Sequence, residues 1–151
     1  MNIYTIGTTQ KTAKQFITLL KINNVQKLLD IRLKNVSVLA GYAKGNDLDF
    51  ILTEGFNIAY EHVPLLAPTM TLLDNYRDKK NPATYMNWDL YEVEFDKLLQ
   101  TRETLNIFKN AAGHFENVAL LCAESKADHC HRRLVAEYIK KADNAVNIIH
   151  L

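Results

Sequence analysis

The stretch Val118-Ala-Leu-Leu-Cys122 decides the fold prediction, because it is the most continuously apolar run in the chain. A run that is apolar at every position is typical of a strand buried on both faces in a parallel sheet. A polar loop follows, and apolar residues then recur at helical spacing from about Cys130 to Lys141. The stretch therefore predicts a central strand that leads into a covering helix.

The same alternation of strand and helix continues on both sides of this stretch. Further strands are predicted at residues 3–6, 25–31, 58–63 and 146–149. Further helices are predicted at 10–22, 47–54, 70–76 and 91–112. The segment 33–44 is predicted to be irregular and carries Lys34, Ser37, Gly41 and Lys44. We therefore predict an α/β fold, with a single three-layer, Rossmann-like, mostly parallel sheet covered by helices on both faces, in one domain over residues 1–151.

Residue types also predict where three of the helices begin or end. Thr8 or Thr9 is expected to cap the first helix, because a hydroxyl can accept a bond from the free N–H groups there. Gly55 is expected just past the end of the next helix. The apolar stripe from Tyr91 to Ala112 predicts one uninterrupted helix that Gly113 ends.

Charge and composition limit the classes of function. The 151 residues carry a formal net charge of +1, whereas a protein that binds duplex nucleic acid through phosphates usually has a clear basic excess. A nucleic-acid partner is therefore not favoured. The N-terminal residues lack a basic leader followed by a hydrophobic run, and the apolar runs are too short to cross a bilayer. We expect a cytoplasmic protein with no membrane partner, whose Cys122 and Cys130 are reduced thiols.

Chemistry-bearing side chains follow several of the predicted strands. In open α/β sheets ligands bind outside the carboxyl ends of the strands, and the helix that begins near Cys130 directs its free N–H groups to the same side. Arginine is well shaped to bind phosphate or carboxylate. We therefore predict a site for an anionic or phosphate-bearing small molecule, with a nucleotide as one example. The predicted ligand-binding residues are Gly7, Asp30, Arg32, Cys122 and Arg132.

A thiol nucleophile at Cys130 is a second prediction for the same junction. A helix N-terminus and neighbouring cations are expected to lower the pKa of its thiol. His131 or His129 could accept the proton, and Glu124 could orient the histidine. The predicted catalytic residues are therefore Cys130, His131 and Glu124. A phosphatase loop of the Cys-x5-Arg type is not indicated, since Ala136 stands where that loop requires an arginine.

Two other classes of function compete with this prediction. Cys122, Cys130, His131 and His129 are suitable zinc ligands, but the spacing lacks Cys-x2-Cys and three consecutive residues rarely direct all their side chains at one ion. No metal ligand or cofactor is therefore assigned, although a metal-binding or thiol-redox protein stays an alternative. The other alternative is a binding module for nucleic acid or a protein partner.

Structural roles could also account for several of the same residues. Cys122 is expected to pack in the core as a small hydrophobic residue. Asp30 and Arg32 could form an ordinary ion pair that holds a loop. The aromatic cluster from Tyr85 to Tyr91 around Trp88 could be a packing lid, or it could stack on a planar ligand.

A family resemblance rests on segments distributed along the chain. In order they are Ile3-Tyr-Thr-Ile-Gly7, Leu28-Leu-Asp-Ile-Arg32, Tyr42-Ala-Lys44, Tyr60, Leu66-Ala-Pro-Thr69, Leu120-Leu-Cys-Ala-Glu124, Cys130-His-Arg-Arg133 and the closing strand Val146–Leu151. Together these segments resemble the domain-of-unknown-function 488 family, and the similarity spans essentially the whole chain.

The resemblance implies an α/β fold and a shared site, but no activity. That site would combine the Asp-x-Arg strand end, the Cys-x-Glu strand end and the Cys-His-Arg turn. Two positions depart from the family's pattern: Thr8 stands where many members have histidine, and Asn35 stands where many have proline. A role that depends on that histidine is therefore not expected here.

Overall fold

The computed structural model describes residues 1–36 and 40–151, and its centre is a five-stranded sheet. The strands are β1 (Asn2–Gly7), β2 (Lys27–Asp30), β3 (Ala59–His62), β4 (Asn117–Cys122) and β5 (Asn147–His150). They lie in the order β3-β2-β4-β1-β5, and every neighbouring pair is parallel. The predicted parallel sheet is confirmed, and the Val118–Cys122 run lies in its middle strand. Ser37, which the sequence placed in an irregular segment, lies outside the described residues.

Six α-helices cover the sheet within the described part of the chain. They are α1 (Ala13–Ile22), α2 (Gly45–Phe56), α3 (Met70–Arg77), α4 (Trp88–Thr101), α5 (Thr104–Ala112) and α6 (His131–Ala142). Across residues 1–36 and 40–151, none of these helices combines the length and apolar character that crossing a membrane requires.

Two separate hydrophobic cores fill the two faces of the sheet. Side chains of β2 and β4 alternate between the faces because successive residues of a strand point in opposite directions. Leu29 and Leu120 pack on one side with residues of α4, α5 and α6. Leu28 and Leu121 pack on the other side with residues of α1 and α2. The predicted three-layer, Rossmann-like architecture with helices on both faces is therefore confirmed.

The strand order creates a crevice between β1 and β4. The chain leaves β1 through α1 toward β2, and it leaves the adjacent β4 through α6 toward β5, on the opposite face. The two loops therefore diverge at the carboxyl ends of neighbouring strands. This is the topological position at which open α/β sheets bind their ligands.

The ends of the first two helices differ from the sequence predictions. The cap of α1 is Thr12, neither Thr8 nor Thr9, and its hydroxyl accepts a bond from the backbone N–H of Gln15. The helix α2 continues past Gly55 to Phe56, and the left-handed residue that ends it is Asn57 at φ 53°. Asparagine tolerates this conformation, so the helix did not need its glycine as a terminator.

The predicted helix from Tyr91 to Ala112 is wrong as one element, because α4 ends at Thr101 and α5 begins at Thr104. Glu103 adopts the left-handed conformation, with φ 54°. The hydroxyl of Thr104 donates to the carbonyl of Leu99 at 2.8 Å, which stabilises the break. The apolar stripe continues across it, so periodicity could not reveal the interruption. Gly113 follows α5 at φ 62°, as predicted.

Candidate functional site

The β1–β4 crevice opens into a cavity of about 1110 Å³ at the carboxyl edge of the sheet. This volume is slightly above the roughly 300–1,000 Å³ range of small-molecule pockets. Five of the eight predicted site residues line it: Arg32, Cys122, Glu124, Cys130 and His131. Gly7, Asp30 and Arg132 are buried behind its wall. Five of the residues proposed from the sequence therefore meet at one cavity, while the other three do not line it.

Cys122, Cys130 and His131 converge on one point of the cavity wall. Cys122 ends β4, Cys130 is the N-cap residue of α6, and His131 is the first residue of that helix. The Sγ of Cys122 lies 3.6 Å from Nδ1 of His131, and both cysteines are free thiols. The two sulfur atoms and the histidine nitrogen all lie within 4.8 Å of one another. Such a cluster can serve as a nucleophile with its base, as a redox dithiol or as a metal site.

The histidine ring is held by the backbone of a different strand end. Nε2 of His131 lies 2.9 Å from the carbonyl oxygen of Ile31, just beyond β2. A carbonyl oxygen can only accept, so Nε2 must carry a hydrogen and Nδ1 faces Cys122. The side chain of Glu124 is 54% exposed and pairs with Arg77 at 3.9 Å. The prediction that Glu124 orients the histidine is therefore wrong, because the Ile31 carbonyl does so.

The two thiols have opposite pKa shifts. The hydrogen bond with Cys130 lowers the pKa of Cys122, which outweighs burial and is reinforced by the charge of His131. The same bond, together with burial, raises the pKa of Cys130. Burial and the shared hydrogen bond therefore oppose the lowering of the Cys130 pKa that the helix start predicts. For His131, burial lowers the pKa, but the charge and hydrogen bond of Cys122 raise it by more, so the pKa is raised overall.

Arg132 stabilises the β4–α6 loop from the inside and does not line the cavity. Its side chain is 1% exposed, and Nη1 donates to the carbonyl of Glu124 and lies 3.7 Å from Sγ of Cys130. Nη2 donates to the carbonyl of Ser125 at 3.2 Å. Its position does not support the prediction that Arg132 contacts the anion directly. Its positive charge lowers the pKa of Lys11, which does line the cavity.

Gly7 makes the close approach between β1 and the β4–α6 loop possible. A Cβ atom at this position would lie 1.7 Å from the carbonyl oxygen of Glu124 and 2.9 Å from Nη1 of Arg132. No side chain could occupy that space without moving the backbone. Gly7 was predicted to bind ligand, but in the structure its role is to let two chain segments meet.

Asp30 and Arg32 form a buried ion pair beside the cavity. The carboxylate, which is 0% exposed, accepts bonds from Nε of Arg32 at 2.7 Å and from the Tyr60 hydroxyl at 2.7 Å. Nη2 of Arg32 also donates to the Ala43 carbonyl at 2.8 Å. Burial alone would lower the pKa of Arg32, but the hydrogen bond and charge of Asp30 outweigh burial, so the pKa is raised. The structural interpretation of this pair fits better than the prediction that Asp30 binds ligand, although Arg32 does line the cavity.

The sequence analysis missed Lys11 and Arg77, which also line the cavity. Lys11 follows β1 in the loop that leads to α1, and it is half-buried. No carboxylate of the described residues lies within ion-pair distance of it. Burial lowers the pKa of Lys11, and the charge of Arg132 lowers it further. Position alone could have indicated Lys11, because it lies in a loop at the carboxyl end of a strand.

Aromatic side chains of α3 and α4 form part of the cavity lining, called here the aromatic wall. Tyr76 from α3 and Tyr91 from α4 have ring centroids 4.9 Å apart, and Trp88 stacks on Tyr91 at 5.1 Å. His129 lies against Trp88 at 5.0 Å, so it contacts this wall and is not part of the cysteine cluster. The wall includes part of the predicted Tyr85–Tyr91 aromatic cluster.

Fold and cavity define the class: a three-layer α/β protein with a cluster of sulfur and imidazole groups at the carboxyl edge of its sheet. A sequence profile described as Domain of unknown function DUF488 matches residues 12–139, and the chain belongs to this family. The match includes the Cys130-His-Arg-Arg133 turn but neither β1 nor β5, both of which the sequence resemblance had included. No curated protein and no solved structure matches the chain.

Proposed function

We propose that residues 1–151 form one ligand-binding domain, whose cavity takes a small molecule with a phosphate or another anionic group. The observation that carries this proposal is Lys11, a half-buried cation in the cavity wall with no carboxylate of the described residues in ion-pair distance. Its charged neighbour is a second cation, Arg132. An anionic ligand would supply the compensating charge that the protein itself does not.

The balance of charge around the cavity supports the same conclusion. Four cationic side chains line it, and two of them are paired: Arg32 with the buried Asp30 and Arg77 with Glu124. Lys11 and Lys34 remain without a carboxylate partner among the described residues, although the net charge of the chain is only +1. The helix α6 also begins at the cavity, so the positive end of its dipole favours an anion there.

The aromatic wall supports a ligand that also carries a planar ring. Tyr76 and Trp88 are only partly buried and offer ring surface to the cavity. A planar group against this wall and an anionic group beside Lys11 would share one cavity, so a nucleotide-like molecule combines the two features that the lining favours.

The sole tryptophan of the chain, Trp88, provides the test. Adenosine monophosphate is titrated against the protein while tryptophan fluorescence is followed, with inorganic phosphate as competitor and adenosine as the uncharged comparison. We expect saturable quenching by the nucleotide, displacement by phosphate and much weaker binding of adenosine. Lys11→Gln should raise the dissociation constant at least about tenfold, equivalent to roughly 1.4 kcal/mol.

Lys109→Gln is the matched control, since Lys109 is exposed near the end of α5 and does not line the cavity. It should bind the nucleotide as the parent does. Equal affinity in the Lys11 and Lys109 variants, or no saturable binding of any of the three probes, would overturn the proposal.

A further inference from the structure

We infer that Cys122, Cys130 and His131 form a binding site for a zinc ion in the wall of the cavity. Two thiolates and an imidazole are the donor set that zinc prefers among common divalent ions. Zinc–sulfur and zinc–nitrogen bonds of about 2.3 and 2.0 Å place tetrahedral ligand atoms roughly 3.5 Å apart. The Cys122 Sγ to His131 Nδ1 distance is 3.6 Å, and no two ligand atoms of the group are more than 4.8 Å apart. The ligand atoms therefore need only small shifts to close around an ion.

The hydrogen bond to His131 favours a metal ligand in particular. Histidines that bind metals usually donate their second ring N–H to a carboxylate or a backbone carbonyl, which fixes the ring and leaves the other nitrogen free. His131 makes this bond through Nε2 to the Ile31 carbonyl at 2.9 Å. In the neutral ring, the lone pair of Nδ1 is then directed at the two sulfur atoms.

Arg132 completes the surroundings of the proposed site. Its Nη1 lies 3.7 Å from Sγ of Cys130 and can donate to a thiolate there. Two thiolates side by side in a buried position repel each other, and a divalent cation removes that repulsion by compensating both charges. Arginine, histidine and both cysteines are all less than 10% exposed, so these interactions act with little screening by water.

Three protein ligands with one open position define the catalytic type of zinc site, since structural sites usually have four. All three residues line the cavity, so the fourth position would face a molecule bound there. The ion could then polarise a phosphoryl or carbonyl oxygen of that ligand as a Lewis acid. This last step rests on the proposed anionic ligand, whereas metal binding itself does not.

The sequence analysis counted against zinc the fact that three consecutive residues rarely direct all their side chains at one ion. Residues 129–131 follow that rule, since only two of them join Cys122 in the cluster. Cys130 is an extended N-cap residue at φ −141° and ψ 136°, and His131 is already helical, so the backbone changes direction between them. This change of direction brings the two side chains to the same place, while His129 turns away to Trp88.

Titration of the reduced, metal-free protein with cobalt(II) tests the inference, because tetrahedral cobalt–thiolate centres have intense visible and charge-transfer absorption. We expect one cobalt ion per chain, displaced by zinc. Cys122→Ser, Cys130→Ser and His131→Gln should each weaken binding by more than the roughly 10–100-fold loss typical of changes to outer-sphere residues. His129→Gln, a neighbouring histidine outside the cluster, should bind like the parent.

X-ray absorption of the zinc-loaded parent protein keeps the test valid if a variant fails to fold. Two sulfur atoms and at least one nitrogen around the ion would support the inference. Coordination by oxygen and nitrogen alone, an unchanged cobalt spectrum in Cys130→Ser, or rapid formation of a Cys122–Cys130 disulfide with no measurable zinc binding would overturn it. Lys11→Gln separates the two proposals, since it should lose nucleotide binding and keep the cobalt spectrum.

Discussion

Two polar clusters lie side by side at the carboxyl edge of the sheet, and they differ in how their charges are compensated. In the first, Asp30, Arg32 and Tyr60 bind one another, with the carboxylate receiving bonds from both partners. In the second, the cysteine pair and Lys11 face the cavity, and no carboxylate of the described chain compensates the lysine. The charges of the first cluster are paired within the protein, whereas Lys11 in the second has no carboxylate partner among the described residues.

This difference distinguishes polar groups that are paired within the protein from those that are candidates for binding, and residue type alone does not. Both clusters contain residues that the sequence identified as site candidates, and both follow strand ends. Buried charges that are paired and hydrogen-bonded hold a fold together, while groups that lack partners in a cavity are candidates for binding. Arg32 belongs to both, since it is bound to Asp30 and also lines the cavity.

Asp30→Asn should break the first cluster and have the largest effect on stability. It removes the carboxylate that compensates Arg32, which is only 6% exposed, and an unpaired buried charge costs about 3–5 kcal/mol. Chemical denaturation should therefore show a free energy of unfolding lower by about 3 kcal/mol. Glu94→Gln is the control, because its exposed pair with Lys97 should contribute less than about 1 kcal/mol. Similar losses in the two variants would mean that the buried pair is not the stabilising cluster we describe.

Tyr60→Phe should give an intermediate loss. It deletes the hydroxyl that donates to Asp30 at 2.7 Å and leaves the ring in place. A hydrogen bond to a charged group contributes about 1.5–3 kcal/mol, and half-burial of Tyr60 places the expected loss near 1.5 kcal/mol. Tyr60 does not line the cavity, so nucleotide binding measured by Trp88 fluorescence should be unchanged. A loss of binding without a loss of stability would place Tyr60 in the functional cluster instead.

Lys11→Gln should have the smallest effect on stability of the three, although it is expected to affect ligand binding strongly. The lysine makes no ion pair with the described residues and is repelled by Arg132, so its neutral replacement removes no favourable contact between charges. The free energy of unfolding should stay within about 0.5 kcal/mol of the parent, as for most substitutions away from buried networks. A loss above about 1 kcal/mol would show that Lys11 stabilises the fold, and the contrast between the two clusters would then fail.

Local patterns in the sequence were sufficient for most of the architecture. The apolar run Val118–Cys122 predicted the central strand, since a strand buried on both faces is typically apolar at every position. The helix break at Glu103 was not predicted, because the apolar stripe continues across it. Its cause includes contacts far away in the chain, such as the bonds from Arg102 to the carbonyls of Leu65 and Ala67.

For the site, the sequence determined which residues stand at the carboxyl edge, because parallel strands bring all their ends to one side. Only the tertiary structure decided which of these residues meet and which face the cavity. Asp30 and Arg132 are turned into the protein by hydrogen bonds to Tyr60 and to loop carbonyls, whereas Cys122 meets His131 through the packing of α6. These partners are distant in sequence or depend on the path of a loop, so no local pattern contains them. The order of strands and loops in the chain therefore determines which residues lie at this edge, and tertiary packing determines which contacts they make there.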